Sequence, residues 1–324
     1  MALSEFALIE RYFRNCGAQR ADVLLGVGDD AALLAAAPGC ELVAAIDTLV
    51  AGVHFPHASP PVSIGHRALA VNLSDLAAMG ARPAWALLAL TLPESRAQWL
   101  GEFTAGFAAL ARDHGVALVG GDTTRGPLTV TVALLGHVPQ GEALRRAGAR
   151  AGDVLFVSGT LGDAAAGLAL EQGELAAAGL PPGFDAYLRE RFRLPTPRLA
   201  LGERLRGLVS ACIDVSDGVL ADAGKLATAS GTGVELDYDA VPLSAPLLAA
   251  VGEARARELA FTGGDDYELC FAVHAENLAR LAAQLPPQRW GYTRIGVLRA
   301  SAGASVVHGG TVMQFSHSGY EHFA

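Results

Sequence analysis

Apolar positions along the chain alternate between strand-like and helix-like spacing, and this alternation predicts an α/β fold. In the first half the pattern predicts strands over residues 42–46, 84–92, 116–119 and 129–138, and helices over residues 61–79 and 95–114. Pro61 suits the first turn of its helix, and Gly80 suits the C-terminal cap of the same helix. The first strand is expected to end at Asp47, and a glycine-rich turn is expected after residue 119.

A turn-rich break over residues 148–153 separates the two halves, so the sequence predicts domains at residues 1–148 and 149–324. The second half repeats the same rhythm, with strands expected over residues 154–158, 211–213, 267–273 and 295–298, and helices over residues 163–171 and 218–228. A length of 324 residues agrees with two domains.

Composition narrows the class of protein. Hydrophobic residues make up 51% of the chain, but Ala and Gly dominate, and no stretch approaches the roughly 20 apolar residues of a spanning helix. The N-terminus lacks the pattern of an export signal, so a cytoplasmic protein is expected. The net charge of −9 disfavours nucleic acid as a partner.

Cysteine and lysine usage exclude two familiar kinds of site. Cys16, Cys40, Cys212 and Cys270 lie far apart without a CxxC pair, which favours buried thiols over a zinc site or a disulfide framework. Lys225 is the single lysine and is followed by Leu226, so the chain has no P-loop. Phosphate chemistry would therefore depend on arginine, backbone amides and metal ions.

Acidic residues recur where strands are predicted to end or helices to begin. They fall in six segments: Gly28-Asp29-Asp30, Asp47-Thr48, Asn72-Leu73-Ser74-Asp75, Gly120-Gly121-Asp122-Thr123-Thr124, Asp214-Val215-Ser216-Asp217-Gly218 and Gly263-Gly264-Asp265-Asp266. Each alone is an ordinary turn or helix cap. Neighbouring strand ends converge in an α/β sheet, and two carboxylates about 4 Å apart repel by about 4 kcal/mol, so a convergent set needs protons or cations. Oxygen ligands beside glycine-rich turns favour Mg²⁺ and a bound polyphosphate.

The order of these motifs resembles the thiamine-monophosphate kinase family. The resemblance covers nearly the whole chain, and the strings that extend the six segments are Gly26-Val27-Gly28-Asp29-Asp30, Asp47 to Phe55, Ala70 to Ala81 and Gly263 to Leu269. That family belongs to a superfamily with aminoimidazole ribonucleotide synthetase. It implies a two-domain PurM-like α/β (α+β) fold, with an N-terminal ATP- and Mg²⁺-binding domain whose strands pair across a homodimer.

The resemblance also implies an activity and residue roles. The activity is ATP-dependent phosphorylation of thiamine monophosphate to thiamine diphosphate, by direct in-line transfer with several Mg²⁺ ions and without a covalent enzyme intermediate. The implied metal ligands are Asp30, Asp47, Asp75, Asp122, Asp214 and Asp217. The implied ATP contacts are Gly121, Asp122, Arg146 and Ser216, and the implied substrate contacts are His54, Asp265 and His317.

Four positions depart from the family pattern. Ala45 and Ile46 stand where the family often has Ser and Thr, which removes side-chain hydroxyl ligands before Asp47. Asp265 stands where the family often has Glu, and His317 where it often has an aromatic residue. For Arg146, taken without the resemblance, a solvated surface role and a phosphate contact stay equally open.

Two alternative functions stay open at the level of sequence. One is another ATP-using enzyme of the superfamily, such as a ligase that forms an imidazole ring. The other, from a different class, is an inactive nucleotide-binding protein. Selenophosphate synthesis is disfavoured, because Cys16 is followed by Gly17 and no lysine lies near it.

Overall fold

The computed structural model of the chain describes residues 5–322, and these divide into two compact units. The first unit extends to Leu76 and resumes over Ala81–Gly141, and the second comprises Ala77–Gly80 and continues from Glu142. The division between residues 148 and 149 stays a prediction.

The first unit combines a four-stranded sheet with helices on one face. Its elements are α1 Glu5–Leu8, a π-helix Ile9–Phe13, β1 Val23–Leu25, β2 Leu33–Leu34, β3 Cys40–Val50, α2 Pro61–Ala78, β4 Arg82–Leu92, α3 Ala97–Asp113, β5 Ala117–Arg125 and β6 Thr129–Pro139. The sheet order is β3-β6-β4-β5; β4 and β5 are parallel, and the other two pairs are antiparallel. β1 and β2 form a separate antiparallel pair.

Alternation along β6 separates the two faces of this sheet. Val130, Val132 and Leu134 are fully buried, whereas the residues between them are partly exposed. α2 lies on the buried face, because a side chain on Gly136 of β6 would meet Leu76 at 2.7 Å. α2 and α3 approach closely at Gly65 and Gly106, where a Cβ atom would lie 2.0 and 1.9 Å from backbone oxygens of the opposite helix. Small residues therefore set the helix layer.

Two predicted turns are strands in the structure. β3 does not end at Asp47 but continues to Val50, because it pairs with β6 over its full length. β5 continues from Ala117 through the expected glycine-rich turn to Arg125, because its backbone stays paired with β4. Asp47 and Asp122 therefore lie within strands, where backbone pairing overrides the turn preference of Gly and Asp.

The second unit is built on a seven-stranded sheet of order β13-β12-β9-β11-β7-β10-β8. Its elements are β7 Val154–Ser158, α4 Asp163–Gln172, α5 Phe184–Arg193, α6 Leu199–Leu205, β8 Ala211–Val215, α7 Val219–Ala229, β9 Gly233–Asp237, α8 Ala245–Thr262, β10 Glu268–Val273, a 3₁₀ turn Ala275–Asn277, α9 Leu278–Gln284, α10 Pro287–Trp290, β11 Tyr292–Arg299, β12 Gly303–His308 and β13 Thr311–Met313. Gly252, with φ of 73°, interrupts α8. β8 is an edge strand, and β10 joins it to the centre of the sheet.

All four cysteines are free; Cys16, Cys212 and Cys270 are buried as the sequence predicts, whereas Cys40 is partly exposed. Burial raises the pKa of Cys16 to about 11 and also raises that of Cys212. Such thiols stay protonated and unreactive near neutral pH. Within residues 5–322, the helices fall short of the length and apolar character that a membrane span requires.

Candidate active site

A cavity of about 890 Å³ opens on the face of the first sheet that lies away from α2. Its floor is apolar and includes Leu87, Ala89 and Leu135 from β4 and β6. Asp29, Asp30, Gly121 and Asp122 also line it. Three residues predicted for ATP or metal, Asp30, Gly121 and Asp122, are thereby brought to one cavity of the size usual for small ligands.

Gly121 is required by the pairing of β4 with β5. Its φ is 150°, and a Cβ atom there would lie 1.9 Å from the backbone oxygen of Leu88. By contrast, a Cβ atom on Gly120 would meet only the side chain of Leu87, at 3.1 Å. Of the two glycines, only Gly121 packs too closely against backbone to be replaced by a residue with a side chain. The main chain next to Asp122 is therefore not covered by a side chain of residue 121.

Asp47 and Asp75 form a carboxyl pair on the opposite, helix-bearing face. Their side chains are hydrogen-bonded to each other; burial raises the pKa of Asp47, and the bond from Asp75 opposes that rise. One turn earlier on α2, the fully buried Asn72 donates from Nδ2 to Ala68 O at 3.2 Å. Within residues 5–322 its Oδ1 has no hydrogen-bond partner. Three oxygen-bearing side chains thus lie around this part of α2 and β3.

Strand register separates Asp47 from Asp122 within one copy of the chain. Thr48 pairs with Thr131, Thr131 with Ala89, and Ala89 with Asp122, so Asp122 shares a face with Thr48 and not with Asp47. β3 and β5 are the two outer strands, which puts the two aspartates about 14 Å apart at a strand spacing of about 4.8 Å. The expected convergence at one sheet edge is therefore not met within a single first unit. Across the described part of the chain, no three His, Cys, Asp or Glu side chains are grouped to hold a metal ion.

His54 is held in the turn that follows β3. Its ring Nδ1 accepts a hydrogen bond from Val50 N at 3.0 Å, and the backbone N–H of His54 donates to Val50 O at 2.9 Å. A neutral ring that accepts at Nδ1 carries its proton on Nε2, so His54 is oriented to donate from Nε2.

A cluster that sequence reasoning missed anchors the segment before Asp30. The Arg20 Nε donates to Asp22 Oδ1 at 2.8 Å, and Trp85 Nε1 donates to the same oxygen at 3.1 Å. The bond from Arg20 lowers the pKa of Asp22, and His137 packs edge-on against Trp85. The cluster fixes one end of the segment over the sheet. No sequence motif marks this cluster. The sequence shows only the pair Arg20 and Asp22 and, far along the chain, Trp85 within a strand.

In the second unit, the end of β8 leads into a tightly bonded acidic turn. Asp214 lies in β8 and is 4% exposed. The following backbone amides of Ser216 and Asp217 donate to Asp222 Oδ2 at 3.0 and 2.9 Å. Lys225 Nζ donates to Asp222 Oδ1 at 2.8 Å and also bonds to the Asp217 carboxylate. Asp222, which the sequence analysis did not single out, therefore organises the turn.

The predicted substrate residue Asp265 lies against the same turn. Asp265 N donates to Ser216 O at 2.9 Å, and Tyr267 N donates to Val215 O at 2.8 Å. Asp265 and Tyr267 have φ of 73° and 51°, a conformation that costs a non-glycine residue about 1–3 kcal/mol. The structure thus brings Ser216, Asp217 and Asp265 together.

A buried ionic network supports this strained loop from behind. Glu268 is fully buried and accepts from Arg198 Nε at 2.6 Å, Arg191 Nη2 at 3.0 Å and Ser158 Oγ at 2.5 Å. Asp266, also buried, accepts from Gly162 N at 2.7 Å at the start of α4. Burial raises the pKa of Asp266 well above its usual range. Both acids belong to the Asp-Asp-Tyr-Glu string, and both are bonded to groups of the protein itself.

The remaining predicted residues are exposed. The backbone oxygen of Arg146 accepts from Ser230 Oγ at 3.0 Å, and the neighbouring Arg145 O accepts from Cys212 N at 2.8 Å, so this segment runs beside β8. His317 is exposed. The aromatic residue tied to the acidic turn is instead Tyr320, whose N–H donates to Asp217 O at 3.0 Å.

The chain is a two-domain protein of the aminoimidazole ribonucleotide (AIR) synthase related class. The family model "AIR synthase related protein, N-terminal domain" matches residues 28–138, and its C-terminal counterpart matches residues 150–309. The predicted PurM-like two-domain fold is confirmed.

Within that class, the chain belongs to the thiamine-monophosphate kinase family. It is 45% identical to the thiamine-monophosphate kinase of Salmonella typhimurium over 100% of this chain and 99% of that protein. The crystal structure of thiamine-monophosphate kinase from Stenotrophomonas maltophilia K279a matches with a TM-score of 0.84 at 48% identity, covering 94% of this chain and 97% of that one. A structure of AaThiL complexed with AMPPCP and TMP matches with a TM-score of 0.77 at 32% identity, covering 89% of each chain. The predicted family is confirmed.

Proposed function

We propose that this chain transfers the γ-phosphoryl group of ATP to the phosphate of thiamine monophosphate, giving thiamine diphosphate. The observation that carries the proposal is the cavity of the first unit, where Asp30, Gly121 and Asp122 lie together above an apolar floor. A relative of 32% identity is complexed with AMPPCP, a nucleotide, and with TMP. The role is one step of thiamine diphosphate biosynthesis, in the cytoplasm where ATP is available.

The cavity suits a nucleotide through two different surfaces. The apolar residues of β4 and β6 offer contact to a flat base. Packing against Leu88 O excludes a side chain at Gly121. Phosphate oxygens can therefore come close to the main chain there. Arg146 and Ser216 of the second unit are the further proposed ATP contacts, since an exposed guanidinium can pair with phosphate.

The donor set of the first unit fits Mg²⁺, which favours carboxylate and carbonyl oxygens. Asp47 and Asp75 place two carboxyl groups in contact, and Asn72 Oδ1 is buried close by in sequence without a partner within residues 5–322. The residues proposed to hold the ions are Asp30, Asp47, Asp75, Asp122 and Asp214. When bound, Mg²⁺ would neutralise charge on the triphosphate of ATP and on the acceptor phosphate. Asp217 differs from these, because its carboxylate is bonded to Lys225.

Catalysis of this reaction depends on positioning the two substrates more than on proton transfer. A phosphate monoester is largely ionised near neutral pH, so its oxygen can attack the γ-phosphorus in line without a strong base. His54 would contact the acceptor molecule, and Asp265 would meet the thiamine cation. His317 and Tyr320, in the C-terminal segment, are the candidates to stack on its ring. The bond then breaks between the γ-phosphorus and the β–γ bridging oxygen, and ADP leaves.

A second copy of the chain is proposed to complete the site. Asp47 and Asp122 lie on opposite outer strands, and Leu42 and Ile46 of the outer strand β3 are exposed on the face away from α2, outside the lining of the cavity. An eight-stranded assembly of two such sheets would cover these two side chains. It would also bring the β3 edge of one copy beside the β5 edge of the other.

Co-expression of Asp47→Asn and Asp122→Asn chains with different tags tests this arrangement. If each site takes Asp47 from one copy and Asp122 from the other, the mixed dimer has one intact site, so a random mixture recovers about a quarter of wild-type turnover. If both come from one copy, the mixture stays inactive, and the shared site is wrong.

The activity itself is tested with purified protein, ATP and Mg²⁺, and either thiamine monophosphate or thiamine. Diphosphate is expected from the monophosphate alone. Nucleotide binding without turnover of any phosphorylated thiamine would contradict the proposal. A phosphorylated protein in rapid-quench samples would contradict direct transfer.

A further inference from the structure

We infer that Lys225 occupies, as a fixed protein cation, the place of a divalent ion at Asp217. The inference rests on the proposed function, since it concerns the cations of that site. It changes the role that the family resemblance implies for Asp217, from a metal ligand to the partner of a lysine.

The first support is the geometry of the ammonium group. Lys225 Nζ bonds to both Asp217 and Asp222, and the second bond is 2.8 Å long. Asp222 lies three residues before Lys225 on α7, so the helix itself aligns this pair. An ammonium group between two carboxylates supplies the positive charge that a shared metal ion would otherwise supply.

The second support is the rigidity of the bonded partners. The Asp222 side chain is 1% exposed and is fixed by the two backbone amides of Ser216 and Asp217. Asp217 is held from its backbone oxygen by Tyr320 N, and a side chain on Gly319 would lie 2.6 Å from the same oxygen. The Asp222 carboxylate and the backbone of Asp217 are therefore both held in place around Lys225.

The third support is the composition of the chain. Lys225 is the only lysine in 324 residues, and the other 23 of the 24 lysine and arginine residues are arginines. A lysine ammonium is a compact point charge with three donors, close in character to a small hydrated cation, whereas arginine presents a planar fork. The one position with lysine is therefore the one where two carboxylates converge on a single atom.

The test counts bound metal. Equilibrium dialysis with Mn²⁺ and AMPPCP gives the number of ions per chain for wild type, Lys225→Met, Lys225→Arg and the double variant Lys225→Met/Asp217→Asn. Lys225→Met should bind one ion more than wild type, because Asp217 then lacks its cation. Lys225→Arg and the double variant should bind the wild-type number, and so should Asp217→Asn alone.

Arg255→Met is the matched control, because Arg255 forms an exposed i,i+3 pair with Glu258 on α8 of the same unit. It should leave the count unchanged. An unchanged or lower count in Lys225→Met, or a gain in Lys225→Arg, overturns the inference. A loss of one ion in Asp217→Asn alone also overturns it, since Asp217 would then be a resident ligand.

Melting curves show that each variant is folded before ions are counted. Turnover of thiamine monophosphate is measured on the same wild-type sample. An inactive wild type with the expected ion counts contradicts the proposed function only, and an active wild type with unchanged counts contradicts the lysine inference only.

Discussion

Each unit carries a Gly-Gly-Asp string, and the two are built differently. At Gly120-Gly121-Asp122 the glycine takes the positive φ, and the aspartate continues an ordinary strand. At Gly263-Gly264-Asp265 the aspartate itself has φ of 73°. A Cβ atom on Gly121 or Gly264 would lie 1.9 or 2.3 Å from a backbone oxygen. The shared glycine therefore serves close packing, and the strain falls on different residues.

The acidic groups of the two units also meet different partners. In the first unit the bonded pair is two carboxyl groups, Asp47 and Asp75. In the second unit Lys225 joins Asp217 to Asp222, and two arginines hold Glu268. These acids of the second unit are thus bonded to basic side chains of the chain itself. Loss of Asp75 should therefore act mainly on activity, and loss of Glu268 mainly on stability.

The largest expected effect is on turnover. Asp75→Asn removes one of the two paired carboxylates that would hold Mg²⁺, so turnover should fall by about 100- to 1,000-fold, as for loss of a group that stabilises developing charge. The measurement is diphosphate formation at saturating ATP. Asp113→Asn, at the exposed end of α3, is the control and should keep activity within about twofold. Equal losses in both variants would show that charge in general, not this pair, is responsible.

Glu268→Gln should mainly reduce stability. Arg191 and Arg198 would lose a buried countercharge, which costs about 3–5 kcal/mol when one partner of a buried pair is removed. Urea unfolding followed by circular dichroism measures the loss. Glu276→Gln breaks an exposed pair with Arg150 and should leave the midpoint unchanged. A Glu268→Gln variant as stable as wild type would show that the network is not needed for stability.

Gly121→Ala and Gly120→Ala compare a glycine that packs against backbone with a neighbouring glycine that packs against a side chain. The first places a methyl group against Leu88 O and should destabilise the protein by about 2 kcal/mol and weaken nucleotide binding. The second meets only the end of a leucine side chain, so a smaller change is expected. Calorimetry with AMPPCP and urea unfolding check both. Equal effects would contradict the close approach at Gly121.

Asp265→Gly and Asp265→Ala measure the cost of the positive φ in Gly263-Gly264-Asp265. Both remove the carboxylate, but glycine tolerates φ of 73° and alanine does not, so the glycine variant should be more stable by about 1 kcal/mol. Both should raise KM for thiamine monophosphate to a similar extent. Equal stability of the two variants would mean that the loop relaxes when the carboxylate is absent.

The smallest expected effect is a gain in stability. Burial raises the pKa of Asp47, so its carboxylate opposes folding at neutral pH in metal-free protein. Asp47→Asn should therefore unfold at slightly higher urea in a chelating buffer. The gain should shrink as the pH falls, because the native carboxyl then takes up its proton. A gain that grows with acidity would contradict the sign of this shift.

The local spacing of apolar residues was enough to predict some of the strands and helices. β7 lies where the sequence predicts it, and α2 begins at Pro61 as predicted. The extents of β3 and β5 could not be predicted, because pairing with β6 and β4 keeps polar and glycine residues in strands. The family resemblance is confirmed, whereas the opposite placement of Asp47 and Asp122 depends on strand order, which no motif encodes. Asp222 and Glu268 were missed because an acid that bonds backbone or arginine resembles any other acid in sequence.

The lone lysine has a practical consequence for labelling. Amine-directed reagents find one side-chain target in this protein, and that target lies 43% exposed beside the acidic turn of the second unit. An isotopic methyl group introduced by reductive methylation keeps the ammonium charge and would mark a single defined side chain. Its signal would report changes at that turn without any engineered cysteine.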